Sequence, residues 1–492
     1  MMSKRSYLLP PAFAAAAILL LCPAFSWAQD LHASFKVDAA SPKVLQVEGR
    51  FARPRPFERE RTIRFLTDYA GVNGLALRIS SLELRDVNGR SLAVRKIAEG
   101  EFAADGPVTS WSCKYDLTPI QRTSASTHLS WIGPEGGLIM VDDIMPQDAG
   151  RSALIGLDVP AGWKVWTTSS TQRDGRFVVD NIERAAFAVG PMWREGRSKV
   201  SGGQITVLMS GTWQFTDQEM AATIDEVLGH YAKQFSWLPG NIQIALHRFP
   251  FDANPGEWEA DTRGASITIA SSDTPFKSQS VQRLHEQLRH EVFHLWIPNG
   301  LNLTGRYDWF YEGFAMYQSL KLGVGIGRIR FEDMLDTLSR AYTIDATNPR
   351  RGSLIESSST RWSGGNLSVY ARGMVVGFLC DVSLLNETKR KVSTDDIVRD
   401  LYSRHSTGDP KDGNMAIIAL LKERKSLVPI VDRYIQGTEA IDWAAYLAIA
   451  GIEARQSGRQ TTLSIVAKPS GKQKDMLDKL GYNSWRKVAG SK

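Results

Sequence analysis

Cysteine is scarce in this chain. The 492 residues include three cysteines, and one of them, Cys22, lies in the N-terminal leader described below. At most one disulfide can form between the other two, Cys113 and Cys380, which fall in different predicted domains. Free cysteine is among the most buried residue types, so we expect two buried free thiols. An oxidising compartment would still permit a bridge.

Long apolar runs and clusters of basic residues are also missing beyond residue 28. No later stretch approaches about 20 consecutive apolar residues, so we expect no transmembrane segment in the mature chain. The net charge is +6, but the basic residues are scattered among acidic ones, so we expect no nucleic-acid partner. With 43% hydrophobic and 23% charged residues, the composition is that of a folded chain, and the length allows about three domains.

Residues 1–28 have the pattern of a signal peptide. Lys4 and Arg5 precede an apolar stretch, 12–21, and small residues surround a cleavage position after Ala28. We therefore expect an exported protein, periplasmic or secreted. A retained leader is the alternative.

The segment H-E-V-F-H, residues 290–294, carries the strongest chemical pattern. In a helix, the four-residue spacing puts His290 and His294 one turn apart on the same face, where two neutral imidazoles form half of a tetrahedral zinc site. Glu291 lies beside them in the position of a general base. His285 precedes the motif, but it lies about 140° further round the helix, so we expect it at the surface.

A third ligand is predicted from a second helix. Pro298-Asn299-Gly300 ends the first helix, and Glu312 follows in the aromatic segment W-F-Y-E-G-F-A. If this segment is an antiparallel helix, the Glu312 carboxylate returns to the histidine pair and a fourth position stays open for water. We therefore predict one zinc ion held by His290, His294 and Glu312. The alternative is a structural pair of helix histidines, with Glu312 in a surface ion pair.

These residues carry a resemblance to a known group of enzymes. H-E-V-F-H-L-W and W-F-Y-E-G-F-A are similar to segments of the gluzincin metallopeptidases, the group of thermolysin and the zinc aminopeptidases. Within that group the chain most resembles the glycyl aminopeptidase family, whose members usually carry a C-terminal PDZ domain. Three further stretches match that family: S-L-I-E-S-S from Ser353 to Trp362, V-Y-A-R-G at 369–373, and Y-I-Q-G-T-E from Tyr434. The resemblance covers roughly residues 215–455, and the connection between the two ligand helices is shorter here than is usual in the family.

The resemblance implies an aminopeptidase site with two further functional residues. Tyr370, in Y-A-R-G, matches the tyrosine that stabilises the oxyanion, and Arg372 keeps the positive charge of the family's lysine. Glu259, in G-E-W-E-A, matches the glutamate that binds the substrate's α-ammonium group. Glu257 and Ala260 depart from the family's pattern there, which leaves an endopeptidase as the alternative.

We predict a multidomain chain. Short alternating runs such as Leu75–Ile79 predict an N-terminal β-sandwich-like domain. A capping-box pattern at Thr216 and Glu219 begins a helix, which is followed by strands and the metal-bearing helix, the order of a thermolysin-like α+β catalytic domain. If the strand Ala265–Ile269 lies at the sheet edge above the zinc, it could hold an extended peptide. A C-terminal α-helical domain follows. The predicted boundaries are 1–28 for the signal peptide, 29–213 for the β domain, 214–325 for the catalytic domain, 326–455 for the helical domain and 456–492 for a tail or PDZ remnant.

Together these predictions describe an exported zinc aminopeptidase that acts on peptides. Glu291 would take a proton from the attacking water and pass it to the leaving amine, while Tyr370 and zinc share the developing negative charge. A zinc endopeptidase of the same fold and an inactive binding or scaffold protein are the alternatives. The sequence leaves the oligomeric state open.

Overall fold

The computed structural model describes residues 29–53, 55–147, 149–200 and 203–482. The predicted signal peptide and residues 483–492 of the predicted tail lie outside these ranges.

Two β-sheets share one hydrophobic core in the N-terminal part of the chain. Every second residue of the strand Leu31–Val37 is buried, because alternate side chains of a strand point to the same face. Phe35 of one sheet and Phe187 of the other belong to this core. In spatial order, the larger sheet contains Ser170–Thr171, Phe177–Val179, Ala153–Asp158, Leu31–Val37, Val44–Phe51, Ser110–Asp116 and Ile79–Arg85. The smaller sheet contains Trp131–Gly133, Gly136–Met140, Ala186–Gly190 and Lys164–Trp166.

Short elements complete this part. The small sheets are Thr62–Arg64 with Glu101–Ala104 and Val94–Ala98, and Asp68–Tyr69 with Val72–Asn73. The helical turns are Phe57–Arg59, Leu75–Arg78, Ala125–His128, Val141–Ile144 and Ile182–Arg184.

The predicted strand Leu75–Ile79 is wrong over most of its length. Gly74 adopts a left-handed conformation, with a φ of 76°, and Leu75–Arg78 then forms a 3₁₀ turn. The strand begins only at Ile79. The apolar residues Leu75 and Ala76 are buried in this turn, so the short apolar run did not distinguish a strand from a buried turn.

A five-stranded sheet lies at the centre of the chain. Two of its three inner strands, Asn241–His247 and Ser266–Ser271, are parallel and buried along almost their whole length, as expected for strands covered on both faces. The spatial order is Arg194–Val200, Gly203–Met209, Asn241–His247, Ser266–Ser271 and Trp258–Arg263. The first two strands precede the predicted boundary at 213 but pair with this sheet, so the sheet extends across that boundary. The prediction missed this because alternation along a strand does not reveal which strand it pairs with.

The sheet edge also differs from the prediction. The predicted strand Ala265–Ile269 corresponds to Ser266–Ser271, which is paired on both sides. The edge is Trp258–Arg263, called the edge strand below. Gly264, with a φ of 57°, lies in the tight turn that reverses the chain between these two strands.

The capping box at the start of the first long helix, Asp217–Phe235, is confirmed. The Thr216 hydroxyl accepts a hydrogen bond from the Glu219 backbone N–H at 3.1 Å, and the Glu219 carboxylate accepts one from the Thr216 N–H at 2.8 Å. The helices and helical turns that follow are Lys277–Glu291, Val292–Leu295, Trp309–Phe314, Ala315–Gly325, Phe331–Thr347, Leu354–Ser359, Arg361–Ser363, Ser368–Arg372, Gly373–Glu387, Thr394–His405, Gly413–Lys422, Lys425–Leu427, Val428–Ile430, Val431–Gln436, Ala444–Ala450 and Gly471–Lys479.

One continuous helix, Ser368–Glu387, is long and apolar enough to cross a membrane by length and composition alone. The helix is not an uninterrupted apolar run, because it contains Arg372 and Asp381. Of its most apolar stretch, 94% is buried inside the structure, so the helix forms part of the protein core.

The C-terminal residues form more than helices. A short parallel pair joins Leu303–Thr304 to Lys411–Asp412. A hairpin of Ile452–Ser457 and Gln460–Ile465 crosses the predicted boundary at 455. In the final helix, Gly471–Lys479, Met476 and Leu477 are buried in the same core as the central sheet.

Both cysteines among the described residues are buried free thiols, as expected. Burial raises the pKa of Cys113 to about 12 and places the pKa of Cys380 higher still.

At pH 8 a thiol-disulfide reagent should therefore react with Cys113 about a thousandfold more slowly in the native mature chain than in the unfolded chain. Unfolding without reductant should release two titratable thiols. A count of zero would contradict this description.

Candidate metal centre and substrate cavity

The first ligand helix, Lys277–Glu291, is held by a buried apolar stripe. Leu284 and Leu288 of this helix, and Val292 just beyond it, are at most 1% exposed. These three residues recur at four-residue spacing and face the core, so they fix the rotation of the helix. His290 and Glu291 lie in its last turn, and His294 follows in the 3₁₀ turn Val292–Leu295.

The two histidines and Glu312 converge. His290 Nε2 lies 3.2 Å from His294 Nε2 and 3.1 Å from Glu312 Oε2, and His294 Nε2 lies 3.6 Å from the same carboxylate oxygen. All three side chains are buried. The helix-turn-helix arrangement predicted from the sequence therefore brings these ligand atoms together.

The spacing and chemistry of these atoms fit a metal ion. Three donors at about 2.0–2.1 Å from a tetrahedral ion lie about 3.3 Å from one another, close to the distances found here. His294 Nδ1 lies 3.0 Å from the Ile297 carbonyl, which can only accept a hydrogen bond. Nδ1 of His294 therefore carries a ring proton, and Nε2 is the nitrogen that faces His290 and Glu312.

The local charges favour a cation at the same point. Burial opposes protonation of His294, but the Glu312 carboxylate outweighs it and raises the pKa of His294 to about 9. Burial also opposes ionisation of Glu312, but Arg361 and the two imidazoles hold the pKa of that carboxyl well below its usual range. Glu312 is therefore a carboxylate, the form that binds a metal.

Arg361, which sequence analysis missed, orders this site. Its guanidinium lies 2.9 Å from Glu312 Oε1 and 3.2 Å from Asp308 Oδ1, and it donates a hydrogen bond of 2.6 Å to the Tyr370 hydroxyl. The side chain is only 10% exposed. Arg361 directly precedes Trp362, the last residue of a stretch that matches the family. No helix or strand periodicity links position 361 to Glu312, so the sequence pattern did not indicate this contact.

Tyr370 lies at the site, although 57 residues separate it from Glu312. Its ring centroid is 6.4 Å from that of His290. Burial raises the pKa of Tyr370 well above its usual range, against the effect of Arg361, so the phenol keeps its proton. Because Arg361 donates to the phenol oxygen, the Tyr370 O–H is directed to another acceptor.

Arg372 does not reach the site; it is fully buried and paired with Asp345 at 3.1 Å.

Glu291 is buried beside the edge strand. Thr262 of that strand donates a hydrogen bond of 2.7 Å to Glu291 Oε2. Burial raises the pKa of Glu291, and the neighbouring imidazoles only partly offset this effect. Asn299 ties the edge strand to the first ligand helix, because its amide donates to the carbonyls of Thr262 and His294.

Glu259 also lies on the edge strand. Its side chain is 29% exposed and borders the same cavity of about 440 Å³ as Glu291 and Tyr370. Glu257, one of the departures from the family pattern, has a local role instead, because its carboxylate accepts hydrogen bonds from the Asn254 backbone and side-chain amides.

His285 lies away from the metal ligands, but the prediction that it is at the surface is wrong. It is 2% exposed, and its ring contacts Glu226 at 3.0 Å and Arg289 at 2.8 Å. Burial, reinforced by Arg289, lowers the pKa of His285 to about 4. The helix Asp217–Phe235 supplies Glu226 and covers this face of the ligand helix, which the helical rotation angle alone did not indicate.

Comparison with solved structures shows a similar fold. The structure of an aminopeptidase N family protein from Idiomarina loihiensis has a TM-score of 0.71 to this chain, with 15% sequence identity. The likeness covers 86% of this chain and 79% of that one. No protein-family model matches the sequence, and no curated protein gives a significant match. At this identity the likeness shows the fold alone.

Because Arg361 orients Glu312 towards the histidine pair, Arg361→Met should weaken the binding of added Zn²⁺ at these residues by about 10- to 100-fold. Competition with a chromophoric chelator measures this change, and a circular dichroism melt checks that the variant is folded. Arg330→Met, which removes an exposed arginine paired with Asp333, is the matched control and should bind zinc as the wild type does. Unchanged affinity in folded Arg361→Met would exclude the positioning role.

Proposed function

We propose that this chain is an exported zinc metallopeptidase that removes residues from the free N-terminus of peptides. The observation that carries this proposal is the convergence of His290, His294 and Glu312 beside the buried Glu291 in a cavity. The fold shared with an aminopeptidase N family protein supports it. Export is proposed from the leader pattern of residues 1–28.

Two imidazole nitrogens and one carboxylate are a donor set that suits zinc. A zinc ion at this site would lower the pKa of a water molecule towards about 7 and would polarise the scissile carbonyl. His290, His294 and Glu312 would hold the ion, and Arg361 would keep Glu312 ionised and oriented.

Glu291 is proposed as the general base and then the general acid. Burial raises its pKa, so its carboxylate takes a proton more readily than an exposed glutamate does. The Thr262 hydroxyl holds one carboxylate oxygen at 2.7 Å. The other oxygen, Oε1, lies on the side of His290, at 3.9 Å from its Nε2. This orientation suits a proton transfer from water to the departing amine.

Tyr370 is proposed as the oxyanion donor. Its proton is retained, its oxygen is fixed by Arg361 at 2.6 Å, and its ring borders the cavity beside His290. A donor held in place in this way needs little reorganisation when negative charge develops on the carbonyl oxygen.

The edge strand and Glu259 support an aminopeptidase over an endopeptidase. The outward backbone groups of the edge strand, apart from the Thr262 carbonyl that Asn299 binds, can hold an extended peptide, and Glu259 offers a carboxylate to its ammonium group. Tyr69, His128 and Trp362 line the cavity near Glu259. A peptide chain that continued past its ammonium group at Glu259 would meet these side chains.

Glu291→Gln should keep zinc and lose about 100- to 10,000-fold in kcat, because the carboxylate that takes the proton is gone. His294→Ala should lose zinc and activity together. Metal analysis of the purified variants, with peptide hydrolysis assays, measures both. Glu286→Gln, in the same helix with a half-exposed carboxylate, is the matched control and should remain active. A fully active Glu291→Gln variant would end this account.

Acetylation of the peptide tests the amine site. The wild type should cleave a peptide with a free N-terminus about 10- to 100-fold more efficiently, in kcat/KM, than the N-acetylated peptide, because the acetylated form has no charge to pair with Glu259. Glu259→Gln should remove most of this preference, whereas Glu257→Gln, the matched control, should retain it.

The same assay separates the alternatives when it is repeated with a chelator. Equal cleavage of the two peptides would indicate an endopeptidase. Cleavage that survives the chelator would contradict the zinc mechanism. No cleavage and no bound metal would favour an inactive binding protein.

A further inference from the structure

His128, from the N-terminal β domain, projects into the cavity beside the edge strand. It is the last residue of the short helix Ala125–His128 and is 5% exposed. Its ring makes edge-to-face contacts with the rings of Tyr69 and Trp362, with centroid distances of 5.8 Å and 5.5 Å. These edge-to-face contacts fix the ring, and no step of the proposed hydrolysis uses it.

Two carboxylates of the edge strand face this imidazole. Glu259 and Asp261 are two residues apart, so their side chains point to the same face of the strand. His128 Nδ1 lies 3.1 Å from Asp261 Oδ2, and Nε2 lies 3.9 Å from Glu259 Oε1. Asp261 also pairs with Arg263 at 2.6 Å, and Arg263 donates a hydrogen bond of 2.8 Å to the His128 carbonyl.

This group is electrically balanced when His128 is protonated. Burial disfavours the imidazolium, but Asp261 and Glu259 outweigh it and raise the pKa of His128 to about 9. The same contacts hold the pKa of Asp261 well below its usual range, against the effect of burial. At neutral pH the cluster therefore contains two negative charges and two positive charges.

The other charged and titratable groups nearby have partners other than His128. Burial raises the pKa of Tyr69, so its phenol stays neutral. Arg361 packs on the Trp362 ring, 4.5 Å from its centroid, and pairs with Glu312 and Asp308. The Asp142 carboxylate raises the pKa of Arg263 and the pKa of Tyr69.

A substrate ammonium group at Glu259 would add a third positive charge to this largely buried cluster. Arg263 cannot release a proton in a protein, but His128 can. The 3.9 Å gap between His128 and Glu259 is too long for a hydrogen bond, so the carboxylate is available to a closer partner. The incoming cation would also weaken the attraction that keeps His128 protonated.

We propose that an ammonium group binds Glu259 in exchange for the proton of His128, so that the N-terminal β domain makes amine recognition dependent on pH. This inference rests on the proposed function only in taking Glu259 as the amine anchor. His128 is a specificity-determining residue in this account, and it acts on affinity for the amine and not on the hydrolytic step.

Calorimetric titration of the zinc-loaded mature chain with n-butylamine tests this exchange. This alkylamine stays protonated between pH 6 and 8. Measurement in two buffers of different ionisation enthalpy counts the protons released on binding. The wild type should release about one proton per amine at pH 7, and its affinity should rise about tenfold per pH unit between pH 6 and 8.

His128→Gln should bind the amine at least as tightly as the wild type at pH 6.5, with one proton fewer released and no comparable pH dependence. His230→Gln, which removes an exposed histidine of the helix Asp217–Phe235, is the matched control and should behave as the wild type does. If His128→Gln does not fold, the number of protons that the wild type releases per bound amine still tests the exchange.

Amine binding by the wild type without proton release, or an equal release from wild type and His128→Gln, would overturn the exchange and leave the proposed peptidase function intact. Binding that is unchanged in Glu259→Gln, or no binding at all, would overturn both the exchange and the amine anchor. Loss of zinc-dependent hydrolysis is a separate result, which would refute the proposed function.

Discussion

Two helical backbones approach each other at Gly313 and Gly373 more closely than any side chain would allow, and the candidate site depends on this contact. A Cβ atom on Gly313 would lie 2.5 Å from the Gly373 Cα atom, and one on Gly373 would lie 2.8 Å from the Gly313 Cα atom. Gly313 directly follows Glu312, and Gly373 comes three residues after Tyr370. The contact therefore fixes Glu312, the proposed third metal ligand, and the Tyr370 phenol relative to each other. Both residues lie in or next to π-helical turns, which are frequent at functional sites.

Buried charges are balanced in two neighbouring groups around the cavity. At the proposed metal ligands, Arg361 keeps Glu312 ionised and fixes the Tyr370 oxygen. At the edge strand, His128 and Arg263 balance two carboxylates. A buried charge without a partner is costly, so each group constrains the elements that contribute to it. The N-terminal β domain thereby becomes part of the cavity wall, and not only a cover over it.

Local sequence patterns predicted the parts of the site that depend on short separations. The spacing of His290 and His294, the turn after them and the capping box at Thr216 follow from helix geometry alone, and the structure has each of them. The position of Glu312 could be predicted because a single turn between two antiparallel helices returns it to the histidine pair. Arg361, the edge strand and His128 were not predictable in this way, because their partners are distant in sequence and alternation does not reveal which strand lies at an edge. Tyr370 was suggested by family resemblance, and its position beside His290 depends on the Gly313–Gly373 contact.

The central claim is that His290, His294 and Glu312 hold one zinc ion. An anomalous difference map, from crystals of the mature chain grown with zinc and measured at the zinc absorption edge, tests it most directly. The account predicts a single strong peak in the cavity, about 2.0–2.2 Å from His290 Nε2, His294 Nε2 and Glu312 Oε2. A peak that lacks Glu312 as a ligand, or no peak at these side chains, would contradict it.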